Sequence, residues 1–216
     1  TNVQDFPSAQ RLVNVSKSCV RVARLFGFDP KVAFLSHSTF GKPVSKNTKH
    51  VRDAIELLKK EKVDFDFDGE MQPDVALNPI YQEIYPFSKI VGKANILIMP
   101  GLHSANIASR LIDSVGAGKT IGPLLTGLKN SAQIVKVGAS VSEIVTLALF
   151  AAYDSSKPNT FSSSDNNKLI WKNNIYSKND KKQNPILYFA SQQLRISSMR
   201  LGSMTQDLSH LNQGLA

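Results

Sequence analysis

A single cysteine, Cys19, stands in a chain of 216 residues. It leaves no partner for an internal disulfide and cannot anchor a multi-cysteine zinc or iron–sulfur site. That usage points to a reducing, cytoplasmic compartment. Long apolar runs are missing too: nowhere do 18 apolar residues follow one another, and Thr1-Asn2-Val3-Gln4-Asp5 has no basic region followed by an apolar one. Neither a membrane span nor a signal peptide is therefore expected. Thr1 is not an initiator Met, so the chain reads as a fragment or processed product, with any missing partner domain expected before it. The four histidines, His37, His50, His103 and His210, lack ligand spacing and have no Asp or Ser in a nucleophile arrangement. No metal site is expected.

What is present fits an ordinary globular domain: 42% of residues are apolar and 20% charged. The net charge of +9 is uneven. Residues 1–154 hold 18 Lys and Arg against 14 Asp and Glu, and residues 155–216 hold 8 against 3. A balance this modest suits any polyanion, including a nucleotide-bearing coenzyme, and does not select nucleic acid. Residues 155–216 also contain 24 Ser, Asn and Gln, a composition that buries too little apolar area to offset chain entropy. A boundary is expected near Asp154, followed by a low-complexity, disordered or unrelated tail in which residues 186–189 could pair as a stray strand.

Periodicity organises the first 154 residues. Leu12, Val13, Val20, Ala23 and Leu25 fit a helix after Ser8, closed by Gly27. Val32-Ala33-Phe34-Leu35 and Ile96-Leu97-Ile98-Met99 are continuous apolar runs, the pattern of strands covered on both faces. Val51, Ala54, Ile55 and Leu58 share one helical face. Val63-Asp64-Phe65-Asp66-Phe67 alternates as a strand with one wet face does. Ile107, Ala108, Leu111, Ile112 and Val115 fill another helix, Ile134-Val135 a short strand, and residues 141–152 a last, strongly apolar helix. The alternation predicts an α/β fold: a layered, mainly parallel sheet flanked by helices. Ligands bind such sheets at the carboxyl ends of strands, so the loops starting at Ser36, Pro100 and Lys136 are the ones to inspect.

Two motif matches fail on spacing. Gly116-Ala117-Gly118-Lys119-Thr120 resembles a phosphate loop, but the required earlier glycine position holds Asp113, and the segment follows a helix. It reads as a helix-to-strand turn. Asp64, Asp66, Asp68 and Gly69 mimic the opening of a calcium loop, yet the twelfth position is Val75. These carboxylates read as solvated groups on an exposed strand face.

Five separated segments, in order, resemble one family. They are Val32-Ala33-Phe34-Leu35-Ser36-His37-Ser38-Thr39-Phe40-Gly41, Asp68-Gly69-Glu70-Met71-Gln72-Pro73-Asp74, Ala94-Asn95-Ile96-Leu97-Ile98-Met99-Pro100 running on to Ala105-Asn106-Ile107-Ala108, Ile121-Gly122-Pro123-Leu124-Leu125-Thr126-Gly127, and Gly138-Ala139-Ser140-Val141-Ser142-Glu143. Residues 5–153 are similar to the second lobe of the phosphate acetyl/butyryl transferase family. Tyr85-Pro86-Phe87, Leu102-His103-Ser104-Ala105 and Gln133-Ile134-Val135 resemble the branch found as the carboxy-terminal domain of bacterial NADP-dependent malic enzymes. The resemblance implies an isocitrate/isopropylmalate dehydrogenase-like fold, a missing first lobe and a twofold homodimer. It implies acetyl-CoA or another acyl-CoA, or phosphate, as ligand, with no permanently bound cofactor, no nucleic acid and no membrane. The catalytic branch moves acetyl between coenzyme A and phosphate, whereas the malic-enzyme appendage is a regulatory acetyl-CoA sensor.

The same resemblance sets out candidate site residues. The catalytic branch carries Ser-Arg-Gly before the last helix, then an Asp five residues after the Gly. The Arg would hold an anion, the Asp would serve as base for the coenzyme A thiol, and the Ser would polarise the acyl group. The matching positions are Lys136, Val137, Gly138 and Glu143. Val137 binds no anion, and Lys136 supplies a charge without the arginine fork. Glu143 is a candidate base. Equally, Ser140-Val141-Ser142-Glu143 is a capping box. Ser36, Ser38, Thr39, Gly41 and Lys42 form a candidate phosphate or thioester site, or else a Ser/Thr turn capping a helix that begins near Thr48. Asn106 is either a ligand contact or a helix-start residue. Whether the chain is an enzyme is left open between a regulatory binding module, a phosphate acetyltransferase and a non-functional remnant. Val145, Leu147, Leu149 and Phe150 give the last helix more apolar surface than one stripe needs, which suggests that part of it meets a second subunit.

Overall fold

The computed structural model describes residues 5–115, 120–126, 128 and 130–156, and the backbone of residues 187–190 and 193–197. Residues 116–119, His210 and the rest of the tail from residue 157 lie outside the described residues.

Helix α1 (Ala9–Leu25) opens on Ser8, whose side chain accepts a hydrogen bond from the Arg11 N–H at 3.3 Å. It closes with the Phe28 N–H on the Ala23 carbonyl and the Gly27 N–H on Arg24, with Gly27 at φ +75°, a left-handed terminus suited to glycine. Strand β1 (Lys31–Leu35) follows, then a short 3-10 turn (Lys46–Thr48), helix α2 (Lys49–Glu61) and strand β2 (Asp66–Met71). Short helices α3 (Pro73–Leu77) and α4 (Tyr81–Ile84) lead to strand β3 (Ile96–Ile98) and helix α5 (Leu102–Ser114). Strand β4 (Thr120–Leu124), helix α6 (Val141–Ser156) and strands β5 (Leu187–Ala190) and β6 (Gln193–Ser197) complete the order.

The strands form one sheet in the order β2-β1-β3-β5-β6-β4. The β1–β2, β1–β3 and β3–β5 pairs are parallel, and β6 runs antiparallel to both β5 and β4. The expected α/β architecture with a mainly parallel sheet is what forms, and the apolar runs of β1 and β3 show why. Val32, Phe34, Ile96 and Ile98 face a cluster containing Leu12, Val20, Val51, Ile55, Leu58, Leu147 and Phe150 from α1, α2 and α6. Ala33, Leu35 and Leu97 face the opposite cluster with Met71, Ala76, Ile90 and Ala105. Alternate side chains of one strand thus enter two cores, which requires apolar residues at every position.

Three local expectations are corrected. The alternation from Val63 does not start the strand there: β2 begins at Asp66, because β1 offers pairing partners only from Lys31, which faces Asp66. The carboxylates of β2 are not uniformly solvated. Asp66 is exposed, but Asp68 is buried, its carboxylate accepting the Gly69 N–H at 2.9 Å and the Lys89 N–H at 2.7 Å. Ile134 and Val135 form no strand, because the ladder beside β4 is supplied by β6. The Gln133 side chain makes a substitute link, accepting the Leu125 N–H and donating to the Leu125 carbonyl, both at 2.9 Å.

Candidate functional site

The turn before α6 builds the first candidate. Gly138 holds φ +79° and the Ala139 N–H reaches back to the Lys136 carbonyl at 3.1 Å, turning the chain into the helix. The capping box then forms in both directions: the Glu143 N–H donates to Ser140 Oγ at 3.3 Å, and the Ser140 N–H donates to Glu143 Oε2 at 2.8 Å. Ser140 Oγ also donates to Oε2 at 3.0 Å. The other carboxylate oxygen, Oε1, sits 2.9 Å from Lys136 Nζ. The Lys136 hydrogen bond first, and the Ser140 N–H next, hold the Glu143 carboxyl down at a pKa of about 2.

Lys136, Ser140 and Glu143 share a cavity of about 270 Å³ with Ile121, Gly122, Ile134 and Leu147. Its wall is apolar on the β4 side and polar at the start of α6. A space of this size lies just below the range usual for drug-sized ligands.

The second candidate lies at the carboxyl end of β1. Thr39 and Lys42 exchange hydrogen bonds of 2.9 and 3.1 Å around Phe40 (φ +47°) and Gly41 (φ +83°), a two-residue turn of the kind that needs positive φ at both positions. Phe40 rests on Tyr85 and Phe87, with ring centroids 5.4 and 4.8 Å apart. Ser36 and Ser38 are buried, with hydroxyls 3.1 Å apart, and Ser38 Oγ donates to Glu70 Oε1 at 2.6 Å. Glu70 in turn accepts from Arg52 Nη1 at 3.1 and 3.2 Å, and Arg52 Nη2 reaches the Ser45 carbonyl at 3.0 Å. Ser36 and Ser38 do not cap α2. Ser45 does that work for the preceding 3-10 turn, accepting the Asn47 N–H at 3.1 Å.

Glu70 and Arg52 were not singled out from the sequence. The register explains why: Phe34 faces Gly69 and Leu35 faces Met71, so Glu70 is an extra residue in β2, a bulge that turns its side chain inward. A signal was present in a carboxylate set among buried positions, which demands a cation, but α2 had to be placed before Arg52 could be found. Asn106 is not a helix-start residue, since α5 begins at Leu102 and Asn106 lies exposed in its second turn. The cavity wall includes neither Asn106 nor any residue of the β1 loop. The histidines are dispersed: His50 Nε2 meets the Pro100 carbonyl at 2.9 Å, and His103 lies 3.8 Å from Asp5. Among the described residues no group of His, Cys, Asp and Glu could hold a metal ion, and no helix is long and apolar enough to cross a membrane.

Residues 1–152 match the sequence pattern of the phosphate acetyl/butaryl transferase family. The chain belongs to that family. It is 42% identical over 154 residues to the NADP-dependent malic enzyme of Rhizobium meliloti, covering 71% of this chain and 20% of that protein. It is 38% identical over 143 residues to the phosphate acetyltransferase of Treponema pallidum, covering 64% and 43%. A phosphotransacetylase from Streptococcus pyogenes superposes with a TM-score of 0.69 at 32% identity, covering 73% of this chain and 48% of that one. The chain thus spans about a fifth of the malic-enzyme relative and under half of the transferases. Val137 is fully exposed to solvent. Both carboxylate oxygens of Glu143 are engaged, Oε2 by the Ser140 N–H and Oε1 by Lys136.

Proposed function

We propose that this chain is the acyl-CoA-binding regulatory lobe of a malic-enzyme-type protein, built on the phosphate acetyltransferase fold and without acyl-transfer chemistry of its own. The observation that carries the reading is the state of Glu143. A general base works best with a pKa near the operating pH. A carboxylate held at about 2 by Lys136 and Ser140 is a poor acceptor for a thiol proton. Both of its oxygens are spent on the helix cap and the ion pair. With Val137 unable to bind an anion and Lys136 paired with Glu143, the proton transfer and charge stabilisation expected of the catalytic branch lack an unoccupied group to perform them. What remains is a small cavity with one cation and serine hydroxyls, suited to holding the acyl or phosphoryl end of a coenzyme A thioester. The β1 loop, with its buried serines and exposed Lys42 at a strand's carboxyl end, is a second place for a phosphate. A protein of this kind works in the cytoplasm, where acyl-CoA is available.

Isothermal titration of the 216-residue chain with acetyl-CoA tests the binding. Saturable heat with one site per chain is expected; no heat at millimolar ligand overturns the reading. The similarity to phosphate acetyltransferases, together with Lys136 and Glu143 lining one cavity, supports a second reading as a working transferase. Phosphate-dependent release of coenzyme A distinguishes the two.

A further inference from the structure

We infer that Glu143 is a built-in counter-anion of the cavity: its carboxylate occupies Lys136 in the free protein, and an incoming phosphoryl or other anionic group must take the lysine away from it. The inference rests on the ligand reading of this cavity and assigns Glu143 an inhibitory part in it. The two partners are tethered unequally. Glu143 is held by the Ser140 N–H and Oγ through Oε2, at 2.8 and 3.0 Å, and its side chain is 29% exposed. Lys136 is 59% exposed at its side chain, and the 2.9 Å contact to Oε1 joins it to the cavity rim on a long, rotatable stem.

When an anion enters, the lysine is therefore the partner that moves, while the carboxylate stays fixed in the helix cap. The ligand gains one cation and meets one like charge that does not leave. Affinity for anions is held down by the same side chain that secures the start of α6. The three roles open to Glu143 then predict different things. A base contributes to turnover and leaves ground-state affinity alone, a purely structural cap leaves both alone, and a counter-anion weakens binding.

The experiment uses the 216-residue chain at fixed ionic strength, titrated with inorganic phosphate and, separately, with acetyl-CoA. Glu143→Gln removes the charge and keeps the capping box, in which Gln substitutes for Glu. The dissociation constant is expected to fall about two- to fivefold, the scale of a partly exposed ion pair. A gain in either arm supports the inference: with phosphate alone if the free anion seats, with acetyl-CoA alone if the coenzyme carries the anion. The gain should shrink as salt is raised. Lys136→Met, a variant outside the cap, should weaken binding at least about threefold and cancel the gain when combined with Glu143→Gln. Equal or weaker binding by Glu143→Gln overturns the inference, as does unchanged binding by Lys136→Met, and either result leaves the acyl-CoA reading in place. Absence of binding in both arms for wild type and variants overturns both.

Discussion

At the residue scale, Glu143 ties stability to pH. Its folded-state pKa of about 2 lies below the ordinary carboxylate value of 4.5, so its contribution is fully present above about pH 4.5 and lost as pH falls toward 2. Because Lys136 is mostly in water, the contribution is about 1 kcal/mol, much less than the shift alone would give. Glu143→Ala should therefore lower the melting temperature by about 2–4 °C at pH 7. The gap from wild type should narrow between pH 4.5 and 2, and a gap that stays constant in thermal melts across that range would contradict the assignment. Cys19 behaves in the opposite manner. Burial in the first core cluster pushes its thiol well above its ordinary value and removes it from solvent. A thiol-reactive chromophore should label the native chain only at the rate of unfolding and label it at once in denaturant; fast labelling of native protein would show that α1 does not pack as described.

At the element scale, the bulge in β2 is the feature that shapes the β1 loop. Gly69 holds φ +146°, and a Cβ there would lie 2.6 Å from the Phe34 carbonyl oxygen. Gly69→Ala should cost about 2–4 kcal/mol, read as a shift of the denaturation midpoint. A neutral effect would mean that β2 lies farther from β1. The same element marks where the sequence stops being informative. Helix α1 was legible because its cap residues, Ser8 and Gly27, are local, and the doubly apolar runs of β1 and β3 announced two covered faces. The capping box at Ser140 and Glu143 was equally local. The inward turn of Glu70 was not, since it depends on a register shift against β1 and on an arginine 18 residues away. Ile134 and Val135 mislead for a related reason: two β-branched residues carry a strand signal, but a strand needs a neighbour, and β6 holds that place beside β4. Hydroxyls and a lysine after the first strand propose Ser36, Ser38, Thr39, Gly41 and Lys42 as one site, while the structure divides them between a buried hydroxyl pair and a half-buried turn that exposes Lys42.

At the scale of the whole molecule, the placement of α6 bears on assembly. Leu147 and Phe150 turn into the chain's own core, where Phe150 stacks on Phe26 at 5.7 Å, and Arg21 Nη1 meets Asp154 Oδ1 at 2.5 Å. Val141 and Ile144 remain exposed on α6, and Ile107 and Leu111 of α5, with Val115 at its C-terminal cap, form one exposed stripe at four-residue spacing. Pairing two copies about a twofold axis would cover such a stripe. Sedimentation should show a concentration-dependent dimer, shifted toward monomer by Leu111→Lys; a clean monomer at high concentration would exclude it. Under the proposed reading, the cavity at the start of α6 has no free group for acyl transfer, because Glu143 is tied to Lys136 and Ser140. Incubating the purified chain with acetyl-CoA and inorganic phosphate, and following free coenzyme A, tests that most directly. No phosphate-dependent release above background is predicted. Release at an enzyme's ordinary turnover, about 1–1000 per second, and lost in Glu143→Gln, would contradict it.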